Sequence, residues 1–159
     1  MSSDRLDAID LKMLELLQSR GRTKRNELAD KVDLSIPAVS ERLRKLEQAG
    51  VIRSYNAVLD SNKLGLEITA FIFVFSESSI HYPEIVARAS AHPEILECHA
   101  ITGEGSHVLK IRTQSTATLE RLLSEIQSWP GVSNTRTSVV LSTAKETTEI
   151  ALAHLTQNT

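Results

Sequence analysis

The chain of 159 residues contains a single cysteine and no long apolar run. One cysteine, Cys98, excludes a disulfide within the chain and fits a reducing compartment. No apolar stretch approaches the roughly 18 residues that a bilayer-spanning helix needs. The opening residues, MSSDRLDAIDLK, lack the basic-then-apolar order of a signal peptide. We therefore expect a cytoplasmic protein with no membrane partner.

A strong charge of one sign is also absent, since the net charge is −2, which argues against a uniformly basic nucleic-acid binder. The charge is nevertheless uneven. Residues 1–66 hold 12 Lys/Arg and 10 Asp/Glu, whereas residues 67–159 hold 6 and 10. Between residues 20 and 53, nine basic residues face five acidic ones. This local excess suits a module that contacts phosphates, although a solvated helix face has the same composition.

Three amphipathic helices are predicted in the first fifty residues. Apolar residues at helical spacing indicate the first over residues 7–19, with Asp7 as its N-cap. Thr23 is expected to cap the second helix and Ser35 the third, which Gly50 ends. In the third helix an apolar seam is formed by Ile36, Val39, Leu43 and Leu46.

The other side of the third helix is small, polar and basic. A short helix, a tight turn and a second helix with such a side are what a major-groove reader requires. We therefore predict a helix-turn-helix bound to double-stranded DNA. Its candidate DNA-binding residues are Arg25, Ser35, Pro37, Ala38, Ser40, Glu41, Arg42, Arg44 and Lys45.

The roles of these residues stay open at this point. Arg42, Arg44 and Lys45 are candidates for phosphate or guanine contacts, and Glu41 could accept from a cytosine or orient an arginine. The alternative is a helical hairpin whose charged face is only solvated. A β-prone run over residues 51–60 follows the third helix and favours the winged form of the helix-turn-helix.

Several spaced blocks resemble the leucine-responsive regulatory protein/AsnC (Lrp/AsnC) family. The blocks are Leu6-Asp7-Ala-Ile-Asp10, Gly21-Arg22, Glu27-Leu28-Ala29, Leu34-Ser35, Arg42-Leu43-Arg44-Lys45-Leu46-Glu47, Gly50-Val51-Ile52 and Leu64-Gly65. The resemblance covers the whole chain. It implies a prokaryotic, nucleoid-associated transcriptional regulator whose helix-turn-helix spans residues of about 25–44.

The second half alternates strands and helices in the order βαββαβ. The predicted elements are a strand at 68–75, a helix at 82–91, a strand at 95–102, a turn at 103–106, a strand at 107–113, a helix capped by Thr116 or Thr118, and a strand at 132–143. This order predicts a ferredoxin-like domain, and so an α+β fold class. We divide the chain into a winged helix-turn-helix at 1–53, a linking hinge at 54–66, and the ferredoxin-like domain at 67–159.

The first strand of this domain is apolar on both faces, because Ala70, Ile72 and Val74 alternate with three phenylalanines. Both helices of such a unit lie on one side of the sheet. A second copy would cover the open side, so we predict a homodimer. A twofold dimer suits a pseudo-palindromic operator. The resemblance implies the same dimer and its assembly into octamers.

The resemblance also implies a small effector, an amino acid or related metabolite, bound near the dimer interface. Its candidate residues are Gly103, Glu104, Gly105, Ser106, Thr135 and Thr137. The family's turn has the pattern Gly-acid-any-Asp, and Ser106 stands where the aspartate is usual. A serine offers a neutral acceptor where an ammonium ligand prefers a carboxylate. Either Glu104 compensates, or the effector is unusual, or the domain is an interaction platform with a vestigial pocket. The threonines are equally explained as ordinary strand residues.

An enzyme is the main rival class. We find no nucleophile elbow, phosphate loop or paired carboxylates, and so expect no catalysis. Cys98, His99 and His107 invite a zinc site, but neighbouring strand residues point to opposite faces, so we expect neither a metal nor a cofactor.

Overall fold

The structure, a computed structural model, describes residues 6–156. Residues 1–5, part of the opening segment read for a signal peptide, lie outside the described residues, as do residues 157–159. The chain forms two compact units, one of residues up to 58 together with those from 145 onward, the other of residues 59–144. The boundaries drawn from the sequence stay predictions, and the structure differs from them in grouping residues from 145 onward with the first unit.

Three helices build the first unit: α1 (Ala8–Ser19), α2 (Arg25–Val32) and α3 (Ile36–Gln48). Two of the predicted caps are confirmed. Asp7 Oδ1 accepts a hydrogen bond from the Asp10 backbone N–H at 2.8 Å, and Ser35 Oγ accepts one from the Ala38 N–H at 3.3 Å. These bonds satisfy N–H groups that have no partner within the helix.

The third predicted cap is wrong. Helix α2 begins after Lys24, whose side chain makes no capping bond. The hydroxyl of Thr23 instead donates to the Arg20 carbonyl at 2.6 Å. That hydroxyl belongs to the turn after α1, and α2 starts one residue later than predicted.

The apolar seam of α3 packs against the other two helices. Their shared core consists of Met13, Leu28, Ala29, Val32, Val39 and Leu43. Leu46 is buried as well, but Ile36 is 49% exposed, so its place in the buried seam is wrong. Ile36 is the first residue of α3, and its side chain points back beyond the helix N-terminus, past the core.

The predicted β-prone run over residues 51–60 forms no strand in the described structure. The backbone N–H groups of Val51 and Ile52 donate to the Leu46 carbonyl at 3.0 and 3.1 Å. Beyond them, every side chain from residue 53 to 60 is exposed. An extended segment becomes a strand only when another strand pairs with it, and none of the described strands lies beside this run.

The second unit is one antiparallel sheet covered by two helices. Its elements are β1 (Ile68–Ser76), α4 (Tyr82–Ala91), β2 (Ile95–Ala100), β3 (His107–Thr113), α5 (Thr116–Gln127) and β4 (Val132–Val139). The strand order is β2-β3-β1-β4, so the βαββαβ prediction is confirmed. Strands β2 and β4 end earlier than predicted. The N–H of residue 140 donates to the Thr69 carbonyl near the start of β1. Residues after 140 lie beyond the start of β1 and have no residue of that strand to pair with.

The two faces of β1 differ as the alternation predicts. Ala70, Ile72 and Val74 are fully buried beneath α4 and α5. The core around them consists of Ile85, Ala89, Leu109, Ile111, Leu119, Leu122, Ile126 and Trp129. On the other face, Phe71 is 37% exposed and the remaining phenylalanines are half-buried. The apolar spacing of α4 predicts Val86 inward together with Ile85, but Val86 is exposed, since it lies about 100° from the line of Ile85 around the helix.

The cap of α5 also differs from the prediction. Ser115 is the N-cap, and its hydroxyl accepts from the Thr118 backbone N–H at 3.3 Å. Thr118 Oγ1 in turn accepts from the Ser115 N–H at 2.9 Å. Thr118 is therefore the partner in a capping box rather than the cap, and Thr116 is the first helical residue.

The end of the chain lies against α1 in the first unit. The Gln18 side-chain amide makes two hydrogen bonds with the Ile150 backbone: Nε2 donates to the carbonyl at 3.1 Å, and Oε1 accepts from the N–H at 2.6 Å. A short helix, α6 (Ala153–Thr156), follows. Across residues 6–156, every helix is too short or too polar to cross a bilayer.

Candidate nucleic-acid interface and effector turn

A tight turn joins α2 to α3 and fixes how α3 is presented. Asp33 adopts the left-handed conformation, with φ 55° and ψ 51°, at the end of α2. The Leu34 N–H donates back to the Ala29 carbonyl at 3.0 Å, and Ser35 then caps α3. Two residues therefore separate a helix end from the next cap, which is the helix-turn-helix geometry.

The polar side of α3 faces outward along its length. We name as the reading face the residues Pro37, Ala38, Glu41, Arg44 and Lys45. Ala38 is half-buried and the other four are exposed, while Val39, Leu43 and Leu46 on the opposite side are buried. Ser35 is exposed and Ser40 half-buried beside the reading face, and Arg25 is exposed as the first residue of α2. The structure thus gathers most of the predicted DNA-binding residues on one helix side.

Arg44 is held by two neighbours one turn away on either side. Its guanidinium donates to both carboxylate oxygens of Glu41, at 2.6 and 2.9 Å, and to Gln48 Oε1 at 2.6 Å. The hydrogen bond to Arg44 lowers the pKa of Glu41, and the same bond raises the pKa of Arg44. These bonds are the contact that the orienting role of Glu41 requires, and both roles left open for Glu41 stay predictions.

Arg42 lies differently, although it is only two residues away. Its Nη1 donates to Asp7 Oδ2 at 2.7 Å and to Asp10 Oδ1 at 2.8 Å, both at the start of α1. The Arg42 side chain is 30% exposed, compared with 52% for Arg44. The guanidinium of Arg42 is therefore directed to α1 and is separate from the reading face.

Tyr55 is a contact that sequence reasoning missed. Its hydroxyl donates to Glu47 Oε1 near the end of α3 at 2.9 Å. Partial burial of the ring, which is 48% exposed, and this bond raise the pKa of Tyr55 to about 12. Together with the bonds of Val51 and Ile52 to Leu46, this bond attaches the run after α3 to the helix. The contact joins the last turn of α3 to the irregular segment that follows the helix, so the periodicity of a single element could not have indicated it.

The hairpin turn between β2 and β3 depends on two glycines with positive φ, Gly103 at 95° and Gly105 at 85°. A Cβ on Gly105 would lie 2.8 Å from the Val74 carbonyl oxygen. That carbonyl accepts from the Ser106 N–H at 2.8 Å and from the Ser106 hydroxyl at 3.1 Å. The turn is therefore anchored to β1 at a point where only glycine fits.

Ser106 belongs to a buried polar group. Its side chain is turned inward at 9% exposure, and its Oγ lies 2.9 Å from Nδ1 of the fully buried His107. Since the single hydroxyl hydrogen is donated to Val74, His107 donates from Nδ1. The rings of His107 and Tyr82 pack edge to face, with their centroids 4.8 Å apart. Burial lowers the pKa of His107, which favours the neutral ring.

The last strand directs both of its candidate residues to one face of the sheet. Thr135 pairs with Val74, and Thr137 with Ile72, so both threonines face the helices. Gln127 Nε2 of α5 donates to Thr135 Oγ1 at 2.9 Å. The structure therefore does not bring the threonines to the turn, and their effector role stays a prediction.

Arg136, between the two threonines, reaches the turn instead. It forms an ion pair with Glu104, and its guanidinium carbon lies 5.6 Å from the centre of the Phe75 ring. Strand alternation places Arg136 on the face opposite the threonines, and this signal could have found it. A groove of about 430 Å³ beside the turn is lined by Phe75, Ser76, Tyr82 and the turn residues from Gly103 to Ser106.

The metal alternative finds no support in the part of the chain that is described. Cys98 pairs with Leu109 on the helix-covered face, whereas His99 pairs with Val108 on the open one. No group of three or more His, Cys, Asp or Glu residues within residues 6–156 is arranged to hold a metal ion.

Comparison with known families matches both units. The family described as "Winged helix-turn-helix DNA-binding" matches residues 6–53, and that described as "Lrp/AsnC ligand binding domain" matches residues 69–150. The HTH-type transcriptional regulator FL11 of Pyrococcus horikoshii is 38% identical over 92% of this chain and 97% of its own length.

Solved structures give the same result. A transcriptional regulator from Neisseria meningitidis, solved in complex with L-Met, superposes with a TM-score of 0.88 at 35% identity, over 94% of this chain and 99% of that one. Escherichia coli AsnC superposes with a TM-score of 0.84 at 28% identity, over 91% and 97%. These relatives confirm a regulator rather than an enzyme, and the chain belongs to the Lrp/AsnC family of DNA-binding transcriptional regulators.

Proposed function

We propose that the reading face of α3 enters the major groove of operator DNA and recognises its sequence. The observation that carries this proposal is the division of α3 into a buried apolar side and an exposed side of small, polar and basic residues behind a two-residue turn. The small side chains of Pro37 and Ala38 allow close approach to base edges. Arg44 and Lys45 supply charge for guanine or phosphate, with Arg25 and the two serines beside them.

A substitution of Arg44 tests whether the reading face binds DNA. Its bonds to Glu41 and Gln48 are exposed, and exposed ion pairs contribute only about 0–1 kcal/mol, so the guanidinium can exchange them for DNA. We expect Arg44→Ala to weaken binding by about fivefold or more. It should also reduce the slope of log affinity against log salt by about 0.9 if a phosphate is the partner.

The probe for this titration is a duplex selected from a random pool by the full-length protein. Lys12→Ala, which removes an exposed charge from α1, is the matched control and should change affinity little. Affinity of Arg44→Ala equal to that of the wild-type protein would contradict the proposed reading face.

We also propose a homodimer formed through the open face of the sheet. Phe71, Phe73 and Phe75 line this face of the central strand β1, and α4 and α5 cover only the other face. A second copy packed there would bury the three rings and present two reading faces to a pseudo-palindromic site. Assembly of such dimers into octamers is part of the proposal.

A charge placed at the centre of this face tests the dimer. Phe73→Asp should yield monomers by light scattering, because a carboxylate at the centre of the apolar face would have to lose its water at the interface. Ser124→Asp, on the exposed side of α5, should leave the assembly intact. A dimer that persists in Phe73→Asp would count against this face.

The groove beside the turn is the site we propose for a small effector. Its volume is in the range of small-molecule sites. Glu104 and Arg136, now paired, offer a carboxylate for an ammonium group and a guanidinium for a carboxylate, which are the two ends of an amino acid. The Neisseria relative solved with L-Met supports an amino-acid-like ligand. Ser106 would act through the shape of the turn, because its hydroxyl is already bonded inward.

A thermal-shift screen of the common amino acids tests effector binding, since a ligand that binds only the folded state raises the apparent stability. The shift produced by a true effector should disappear in Glu104→Gln. If no amino acid shifts the transition, the alternative is an interaction platform with a vestigial groove. The inward bonds of Ser106 favour that second candidate.

A DNA partner places the protein with the chromosome, so we infer a cytoplasmic, nucleoid-associated location in a prokaryotic cell. A fluorescent fusion expressed at native level should overlap the DNA stain. A fluorescence signal spread evenly through the cell, with no enrichment at the DNA stain, would contradict this inference.

A further inference from the structure

Arg42 and Arg44 lie on the same helix but their guanidinium groups have opposite surroundings. Arg44 bonds within α3, at the exposed surface. Arg42 leaves α3 and bonds to α1, where Asp7 and Asp10 are 48% and 15% exposed. To contact DNA, Arg42 would have to leave two carboxylates at once, one of them partly buried, whereas Arg44 would give up only exposed bonds within its own helix.

The two carboxylates are already committed to the N-terminus of α1. Asp7 Oδ1 accepts from the Asp10 N–H at 2.8 Å, and Asp10 Oδ2 accepts from the Asp7 N–H at 3.1 Å. Each carboxylate therefore gives one oxygen to the helix cap and the other to Arg42. The capping box fixes the position of both acceptor oxygens, so Arg42 is attached to a rigid point on α1.

Charge and geometry agree on this arrangement. The hydrogen bonds to Asp10 and Asp7 raise the pKa of Arg42. Burial alone would raise the pKa of Asp7, but the Asp10 N–H and the Arg42 guanidinium lower it overall. The shifts of Asp7 and Arg42 both favour the charged forms that the ion pair requires.

Helix α3 is otherwise joined to α1 by apolar packing, with Met13 in the same core as Val39 and Leu43. The buried apolar seam decides which side of α3 faces outward, and side-chain packing sets a helix crossing angle only to within about 15–20°. The directional bonds of Arg42 add a second attachment at the start of α1. We therefore expect the fine orientation of the reading face within the unit to depend on Arg42.

We propose that Arg42 is a positioning residue: it clamps α3 to the capping box of α1 and sets the angle at which the reading face meets the groove, without contacting DNA. The inference rests on the proposed reading face. It makes Asp7 and Asp10, two acidic residues, necessary for tight binding to a polyanion.

The test compares full-length variants on the selected duplex at several salt concentrations. Arg42→Met should weaken binding by about fivefold or more, as loss of one base contact does, while the salt slope stays that of the wild type. Arg44→Met, the matched control, should reduce the slope by about 0.9 if it contacts phosphate. Arg42→Lys, which keeps the charge but not the fork of donors, should still weaken binding.

The acidic partners give the sharpest comparison. The double variant Asp7→Asn with Asp10→Asn removes two negative charges, so electrostatics alone predicts tighter binding. The clamp predicts weaker binding, by about the same factor as Arg42→Met. Because the three residues act as one unit, combining all three substitutions should weaken binding no further than Arg42→Met alone.

Two results would overturn the proposal: a salt slope that falls by about 0.9 in Arg42→Met, or wild-type or tighter binding by the double asparagine variant. Thermal denaturation identifies any variant that fails to fold. Asn remains a good N-cap residue, so the asparagine variant keeps the test available if Arg42→Met is unstable. Unchanged binding by Arg44→Met would instead contradict the proposed DNA-binding role of the reading face, on which the role of Arg42 depends.

Discussion

The reading face and the hairpin turn are both candidate binding sites, and they present their residues to solvent in opposite ways. Four of the five reading-face residues are exposed, and none of the five belongs to the core. At the turn, Ser106 and His107 are buried and bonded to one another. The proposed contact with DNA uses side chains that fold stability does not need. The turn instead depends on buried polar bonds to keep its shape, so we expect substitutions there to affect stability first.

The largest effect should follow Gly105→Ala. A Cβ there meets the Val74 carbonyl oxygen at 2.8 Å, in addition to the strain of a positive φ. Strain alone costs about 1–2 kcal/mol, so the loss in free energy of unfolding should exceed that value. Gly103→Ala, with a similar φ and no atom within 4 Å, is the matched control and should show the strain alone. Equal losses in denaturant unfolding would mean that the close approach to β1 does not matter.

The next effect concerns the hydroxyl of Ser106. Ser106→Ala leaves His107 Nδ1 without its partner inside the unit and should cost about 1–3 kcal/mol. Ser133→Ala removes a hydroxyl that donates to the Phe75 carbonyl at 3.1 Å, but on the exposed surface, and should cost clearly less. If the two variants unfold at the same denaturant concentration, burial of the Ser106 bond contributes nothing extra.

Acidification should weaken the fold through His107. Its pKa in the folded state lies below the ordinary value of 6.5, so the unfolded chain binds the proton more readily. Its contribution to stability is complete above pH 6.5 and is lost as the pH falls below 6.5 towards the folded pKa, at no more than about 1.4 kcal/mol per pH unit. Denaturation at a series of pH values should show this slope in the wild type and a flatter one in His107→Phe. An identical slope in both proteins would assign the pH dependence to other groups.

The smallest effect on stability should come from the reading face. Arg44→Ala should change the free energy of unfolding by no more than about 0.5 kcal/mol, because its bonds to Glu41 and Gln48 are exposed. The same variant should show the loss of DNA affinity described above. A large loss of stability in Arg44→Ala would contradict the view that the reading face contributes less to fold stability than the hairpin turn.

The contrast also explains how far the sequence predicted the structure. The helical spacing around Val39 and Leu43 and the strand alternation around Ile72 each show one buried side, so element order, fold class and the outer side of α3 could be predicted. Periodicity does not say where an individual long side chain ends. The direction of Arg42 towards α1, the contact of Arg136 with Glu104, and the inward turn of Ser106 depend on groups brought together only by the fold.

Caps and edges were predicted less well for a related reason. Thr23 and Thr118 are both suitable cap residues, but each hydroxyl bonds instead to a backbone group three residues earlier in the chain. The run over residues 51–60 has the composition of a strand and yet no strand pairs with it in the described chain. Strand formation needs a partner as well as a propensity, and a sequence states only the propensity.

The bonds between Gln18 and Ile150 have a consequence for the synthesis of the protein. The DNA-binding unit is completed by the last segment of the chain, whereas the sheet unit is continuous from residue 59 to 144. As the chain leaves the ribosome from its N-terminus, the sheet unit has all its residues available before the segment that contacts α1 appears. The first unit to begin translation is therefore the last to be completed, and a nascent regulator acquires its full helix-turn-helix unit only after the sheet unit has been made.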